Sequence, residues 1–136
     1  MFNDKEINIV VGNFNLIKKP NLIFDDLIIE FLGSISQEIL TNKNLKVFPD
    51  LYSFAFWSRK NNLIKIKRNY DKTRIGRGIA FHICPSNVPM NFAFSLALGL
   101  LSGNSNIVRL PSTEFIQTFK LFNIMKKILK KKKFQV

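Results

Sequence analysis

Apolar residues recur every three to four positions through Ile23, Leu27, Ile28, Phe31, Ile35 and Ile39. That spacing marks one face of an α-helix. Pro20-Asn21 predicts its start, and Asp25, Asp26 and Glu30 lie toward its N-terminal half, where the helix dipole favours negative charge. Upstream, residues 5–17 around Gly12 (INIVVGNF) predict a short strand or two. Pro49-Asp50 predicts a second helix carrying Leu51, Phe54, Ala55 and Trp57. Residues 61–72 are polar and basic, and predict a segment that leads outward before the next element.

The pattern changes at Ile75. Gly76 and Gly78 precede IAFHI, a short apolar run of strand type, and Pro85 stops it because proline cannot donate to a sheet ladder. Pro89 holds Val88 extended and suits the first turn of a helix. Met90 to Leu101 is apolar nearly all round, which predicts a helix needing covering partners on most sides. Gly103-Asn104 terminates it. NIVRL is a second short strand ended by Pro111, and Ser112 or Thr113 predicts the cap of a last helix from Glu114. Its apolar faces come from Phe115, Phe119, Phe122, Ile124, Met125 and Ile128. Strand, helix, strand, helix is the order of a parallel sheet, so the fold class is α/β. The chain divides into a mainly helical segment, 1–72, and a strand-helix-strand-helix unit, 73–136.

Composition narrows the function classes. At 136 residues with 46% apolar content, the chain is long enough for one real core. Its formal net charge is +12, but residues 120–136 hold seven lysines and no acid. A uniformly basic nucleic-acid-binding surface would not be distributed this way, so no nucleic-acid partner is expected. A single cysteine excludes an internal disulfide and a multi-cysteine metal cluster, and fits a reducing cytosol. The N-terminus MFNDKEINIV is not that of a signal peptide, and the most apolar run, Val88–Leu101, is 14 residues long, too short to span a membrane. The expected location is the cytoplasm. A rival reading is a small basic noncatalytic module binding a nucleotide, a nucleic acid or an anionic surface.

In open α/β sheets the ligand lies beyond the carboxyl ends of the strands. Two short polar groups fall there: Pro85-Ser86-Asn87 after the first strand, and Arg109 to Ser112 after the second. Both turns should face one crevice. His82 and Cys84 lie two apart on a strand, about 6.6 Å along it, too far for a direct hydrogen bond, and read as structural. Gly76-x-Gly78 precedes its strand, whereas a dinucleotide phosphate loop follows one.

The run GIAFHICPSNVPMNFAFSLALGLLSGNSNIVRLPS, Gly78–Ser112, resembles the first cofactor-binding unit of an acyl-CoA reductase in the aldehyde dehydrogenase superfamily. The shared elements are Pro85-Ser86-Asn87-Val88-Pro89, Gly103-Asn104, Ile107-Val108-Arg109 and Pro111-Ser112, in order and at matching spacing. PSNV and GNSNIVRL are most similar to the long-chain fatty-acyl reductases of bacterial bioluminescence. The resemblance implies an incomplete aldehyde-dehydrogenase-like parallel sheet and an NADPH-dependent conversion of fatty acyl thioester to fatty aldehyde through a cysteine acyl-enzyme. It implies Asn87 as oxyanion donor, and Pro85, Ser86, Arg109 and Ser112 as cofactor-binding. Where many NAD-preferring relatives carry a glutamate, Ser112 brings no charge to repel a 2′-phosphate, which leans toward NADPH. Implied partners are a fatty acyl-CoA or acyl-protein substrate, an acyl-protein synthetase, and further copies in an oligomer. The family's nucleophilic cysteine lies far downstream of its Asn-Pro turn. The expectation is therefore an N-terminal piece, inactive alone, its reading frame interrupted near the lysine tract.

Overall fold

The computed structural model describes residues 7–135. In chain order its elements are α1 (Asp26–Thr41), a 3-10 turn (Lys43–Val47), α2 (Pro49–Trp57), α3 (Lys60–Lys67), β1 (Ile79–Ile83), α4 (Asn91–Leu101), β2 (Ser105–Arg109), α5 (Ile116–Leu129) and a last 3-10 turn (Lys132–Phe134). Helix and strand are mixed as the α/β reading requires.

α1 is the hub. It packs against α2, α3, α4 and α5, and its face of Ile29, Phe31, Leu32, Ile35 and Ile39 is buried. The predicted start at Pro20-Asn21 is several residues early. Residues 21–24 spend their backbone groups elsewhere: Asn21 and Phe24 donate to the carbonyls of Gly103 and Leu101, at 2.9 and 2.7 Å, and Ile23 donates to that of Arg74. Phe24 has a φ of 50°, which no helix accommodates. Asp25 is the cap instead, its Oδ1 accepting from the Leu27 N–H at 2.8 Å.

The strands expected within residues 5–17 do not form over the described part of that segment, which is irregular; residues 5 and 6 lie outside the described residues. Gly12 sits at a φ of 90°, and Ile7, Ile9, Phe14 and Ile17 are exposed. Without a partner strand, the apolar residues there have no ladder to join.

Residues 61–72 also depart from expectation. Most of them belong to α3, and Leu63 is fully buried. The residue opposite explains the fit: a side chain at Gly33 of α1 would collide with Lys60. α2 follows its prediction, with Pro49 in its first turn and Leu51, Phe54 and Ala55 buried. Phe54 and Trp57 meet Phe94 of α4 at ring distances of 5.2 and 5.5 Å, so the helices and the strand unit share one core.

β1 and β2 pair in parallel, with Ile79 opposite Ser105 and Ile83 opposite Arg109. α4 covers one face of the pair. Gly103 ends α4 in the left-handed region, φ 79°, and a side chain on it would strike the Asn21 carbonyl. α5 begins at Ile116, not Glu114, and no side chain caps it; Phe115 is extended at its N-terminus.

The exposed apolar surface expected on α4 falls elsewhere. Met90, Phe92, Ala93, Ala97 and Leu101 are buried, and Leu98 alone among its large residues is exposed. The bare surface is the sheet's other face, where Ile79, Phe81 and Ile83 are 46%, 59% and 70% exposed.

The basic C-terminus lies against α1. Lys127 pairs with Glu38 at 2.8 Å, and Lys133 pairs with Glu30 at 2.8 Å. No helix among the described residues is long and apolar enough to cross a membrane.

Candidate functional site

Parallel pairing places the carboxyl ends of both strands at one end of the sheet. Ile83 closes β1 beside Arg109, which closes β2. Pro85, Ser86 and Asn87 follow the first, and Leu110 to Ser112 the second. Pro85, Ser86, Asn87, Arg109 and Ser112 are all exposed. Among the described residues none of the side chains of Ser86, Asn87, Arg109 and Ser112 is spent on a hydrogen bond or ion pair within the chain.

Local rules explain why they are free. Met90 occupies the cap position before α4 and no side chain caps that end, so Asn87 is not a capping residue. The turn closes through backbone, with the Asn91 N–H donating to the Val88 carbonyl at 3.3 Å. Ser112 likewise caps nothing, because α5 starts four residues on. The Thr118 hydroxyl donates to the Pro89 carbonyl at 3.4 Å, tying α5 to the first turn. Gln117 donates to Asp50 at 3.0 Å, tying the same end of α5 to α2.

Cys84 and His82 behave as structural residues. Burial alone pushes the Cys84 thiol up from its ordinary value, which disfavours the thiolate a nucleophile needs. His82 bonds elsewhere: its Nδ1 lies 2.8 Å from the Ser95 hydroxyl and its Nε2 2.8 Å from the Asn106 side-chain oxygen. Asn106 turns its amide nitrogen to the Asn104 carbonyl at 2.7 Å. The Asn106 oxygen is therefore an acceptor and Nε2 carries a hydrogen. Asn104 continues the chain, its Oδ1 accepting from the backbone of Arg77 and Gly78.

Sequence reasoning did not find this network, which joins α4 to both strands. Its one readable signal is Gly99 within an apolar helix. A side chain there would collide with Asn106 and His82. No group of three or more His, Cys, Asp or Glu side chains able to hold a metal occurs among the described residues.

A model of the LuxC acyl-CoA reductase family matches residues 59–133, more than half of the chain. The chain belongs to the LuxC acyl-CoA reductase family. The match runs from the residue before α3 to the last 3-10 turn and takes in both strand-end turns of this LuxC-family chain. No curated protein and no solved structure matches it.

Proposed function

We propose that this LuxC-family chain supplies the oxyanion and cofactor side of an NADPH-dependent reduction of fatty acyl thioester to fatty aldehyde, on an aldehyde-dehydrogenase-like parallel sheet. The reading rests on one observation. Parallel β1 and β2 bring the Asn87 turn and the Arg109 turn to the same sheet end with their polar side chains unspent.

The roles follow from chemistry. Attack of a thiolate on a thioester puts negative charge on the carbonyl oxygen. The Asn87 amide N–H is free to donate to it, and a positioned donor of this kind contributes about 3–4 kcal/mol to the transition state. Arg109 offers a planar fork of donors suited to phosphate. The Ser86 and Ser112 hydroxyls add neutral donors, and Pro85 fixes the turn that presents Ser86. This donor set fits a phosphorylated dinucleotide, and bound NADPH would supply hydride to the acyl carbon. Of the two expected segments, 1–72 lends support through α1, α2 and α3, and 73–136 serves as the first unit of the cofactor domain.

Acylation needs a thiolate, and Cys84, pushed toward the thiol by burial, does not suit that part. The chain alone therefore yields no aldehyde in this reading. It acts in the cytoplasm on fatty acyl-CoA or acyl-protein, the latter delivered by an acyl-protein synthetase, and works within a larger assembly. The lysine-rich end supports a structural more than a binding role, because Lys127 and Lys133 are ion-paired to α1.

Titration of the purified chain with NADPH, followed by nucleotide fluorescence, tests the cofactor role. Saturable binding is expected, weakened at least about tenfold, or 1.4 kcal/mol, by Arg109→Ala. Binding that is absent, or indifferent to Arg109, sinks the assignment.

A further inference from the structure

A second feature lies away from the strand-end turns. The 3-10 turn, α2 and the start of α3 enclose an open groove of about 650 Å³, lined by Lys46, Tyr52, Phe56, Trp57, Arg59 and Asn62. Its size falls among small-molecule sites, which span about 300–1,000 Å³. Two cations and three aromatic rings line it, and no acid among the described residues does.

The cation at its edge is held in place. The Arg59 guanidinium carbon lies 3.6 Å from the centroid of the Phe56 ring. Its Nε donates to the Phe56 carbonyl at 2.8 Å. That contact fixes the plane and leaves the terminal guanidinium nitrogens without a partner among the described residues. A fixed fork of this kind binds phosphate at two points. Lys46 also has no ion pair among the described residues. Phe56 is 59% exposed despite its size, and the Trp57 indole N–H has no acceptor among the described residues. Exposed aromatic rings beside unpaired cations, with the Trp57 indole N–H as the one free ring donor among the described residues, are complementary to a flat base carrying phosphates; the Tyr52 hydroxyl is already donated to the Leu40 carbonyl.

We propose that this groove binds a nucleotide, its base against the Phe56–Trp57 side and its phosphates on Arg59 and Lys46. The chemistry shared by coenzyme A and NADP, an adenosine with a ribose phosphate and a diphosphate, meets this description. The choice of adenine rests on the reductase reading; the fit of a base with phosphate does not. Ties already described connect the groove to the reaction end. Pro49 lines it, the neighbouring Asp50 bonds Gln117, and Thr118 bonds the Pro89 carbonyl behind Asn87.

The chain has one tryptophan, and it stands in this groove, so its emission reports occupancy directly. The intact chain is titrated with adenosine 3′,5′-bisphosphate, the end found in coenzyme A, and with adenosine 2′,5′-bisphosphate, the end found in NADP. A saturable change with a Kd below about 1 mM is expected from at least one, and the tighter of the two identifies the source. Arg59→Ala and Lys46→Ala should each weaken it at least about tenfold, with helical circular dichroism unchanged; Lys46 is exposed on a short turn, so its loss leaves the fold intact. Arg109→Ala should leave this signal unaltered, which separates the groove from the strand-end site and lets either reading fail alone. The proposal is overturned by no saturable change, by wild-type affinity retained in either groove variant, or by loss of the signal in Arg109→Ala only. Preference for a short oligonucleotide over both bisphosphates also overturns it, marking a nucleic-acid surface instead.

Discussion

The helical region and the strand unit bury their apolar residues to different degrees. α1, α2 and α3 close around Ile35, Ile39, Leu51 and Leu63, none more than 1% exposed. β1 buries nothing fully and alternates exposed with half-buried positions. α4 covers the Ala80 and His82 side, while Ile79, Phe81 and Ile83 face outward. A strand with one polar and one apolar face would show its polar face to water. IAFHI does the reverse, with its smallest and its most polar residues inward and its large apolar residues outside. The helical region is finished as a packed layer, and the sheet is not.

The largest expected effect probes the finished side. Leu51→Ala removes a fully buried side chain from α2 and should cost about 2–5 kcal/mol. Urea denaturation followed by circular dichroism measures it. A loss under about 1 kcal/mol would mean that the helical layer relaxes around the cavity and is less tightly packed than its burial implies.

The same contrast decides what could be read in advance. Period was informative where a single helix face met a single core, as in α1 and α2. It failed at α3, because Leu63 is one deeply buried residue among lysines and asparagines, and the close approach of that helix at Lys60 depends on Gly33 in a different helix. The start of α1 was misjudged for a similar reason. Residues 21–24 are held by Gly103, Leu101 and Arg74, partners that no local window contains. The strand-end turns were legible because proline and glycine punctuate them locally. Asn87, Arg109 and Ser112 could be placed for that reason, while the bonds of His82 with Ser95 and Asn106 could not. The aromatic groove was also hidden, since it needs the 3-10 turn, α2 and α3 folded together.

A smaller effect concerns the seam between the two regions. Glu30 of α1 takes Lys133 from the chain's end and Lys60 from α3. The hydrogen bond from Lys133, then that from Lys60, hold its carboxyl down at about 2, from an ordinary 4.5. A depressed folded-state pKa gives stability that is present above the unfolded value and lost as pH falls through the folded one. The contribution should therefore be whole above about pH 4.5 and fade toward pH 2. Both lysines are about half exposed, and such pairs contribute about 0–1 kcal/mol, less in salt. Thermal melts of the wild type and Glu30→Gln should differ slightly at neutral pH and converge near pH 2. A gap that persists unchanged in acid would show that Glu30 acts by packing, not charge.

The smallest effect on stability is expected from Phe81→Ser, although it changes a larger side chain than Leu51→Ala. Phe81 is 59% exposed on the bare sheet face, so little area returns to water when it is removed. Substitutions at such positions stay within about 0.5 kcal/mol. Association should respond more than stability, because Ile79, Phe81 and Ile83 together present an apolar strip to any neighbouring surface. Sedimentation of the chain and the variant over a range of concentrations separates the two quantities. Stability nearly unchanged with reduced self-association would fit an open face. A loss of several kcal/mol that depends on protein concentration would show instead that Phe81 is buried between chains in solution, and the contrast between a finished and an unfinished layer would then describe the lone chain only.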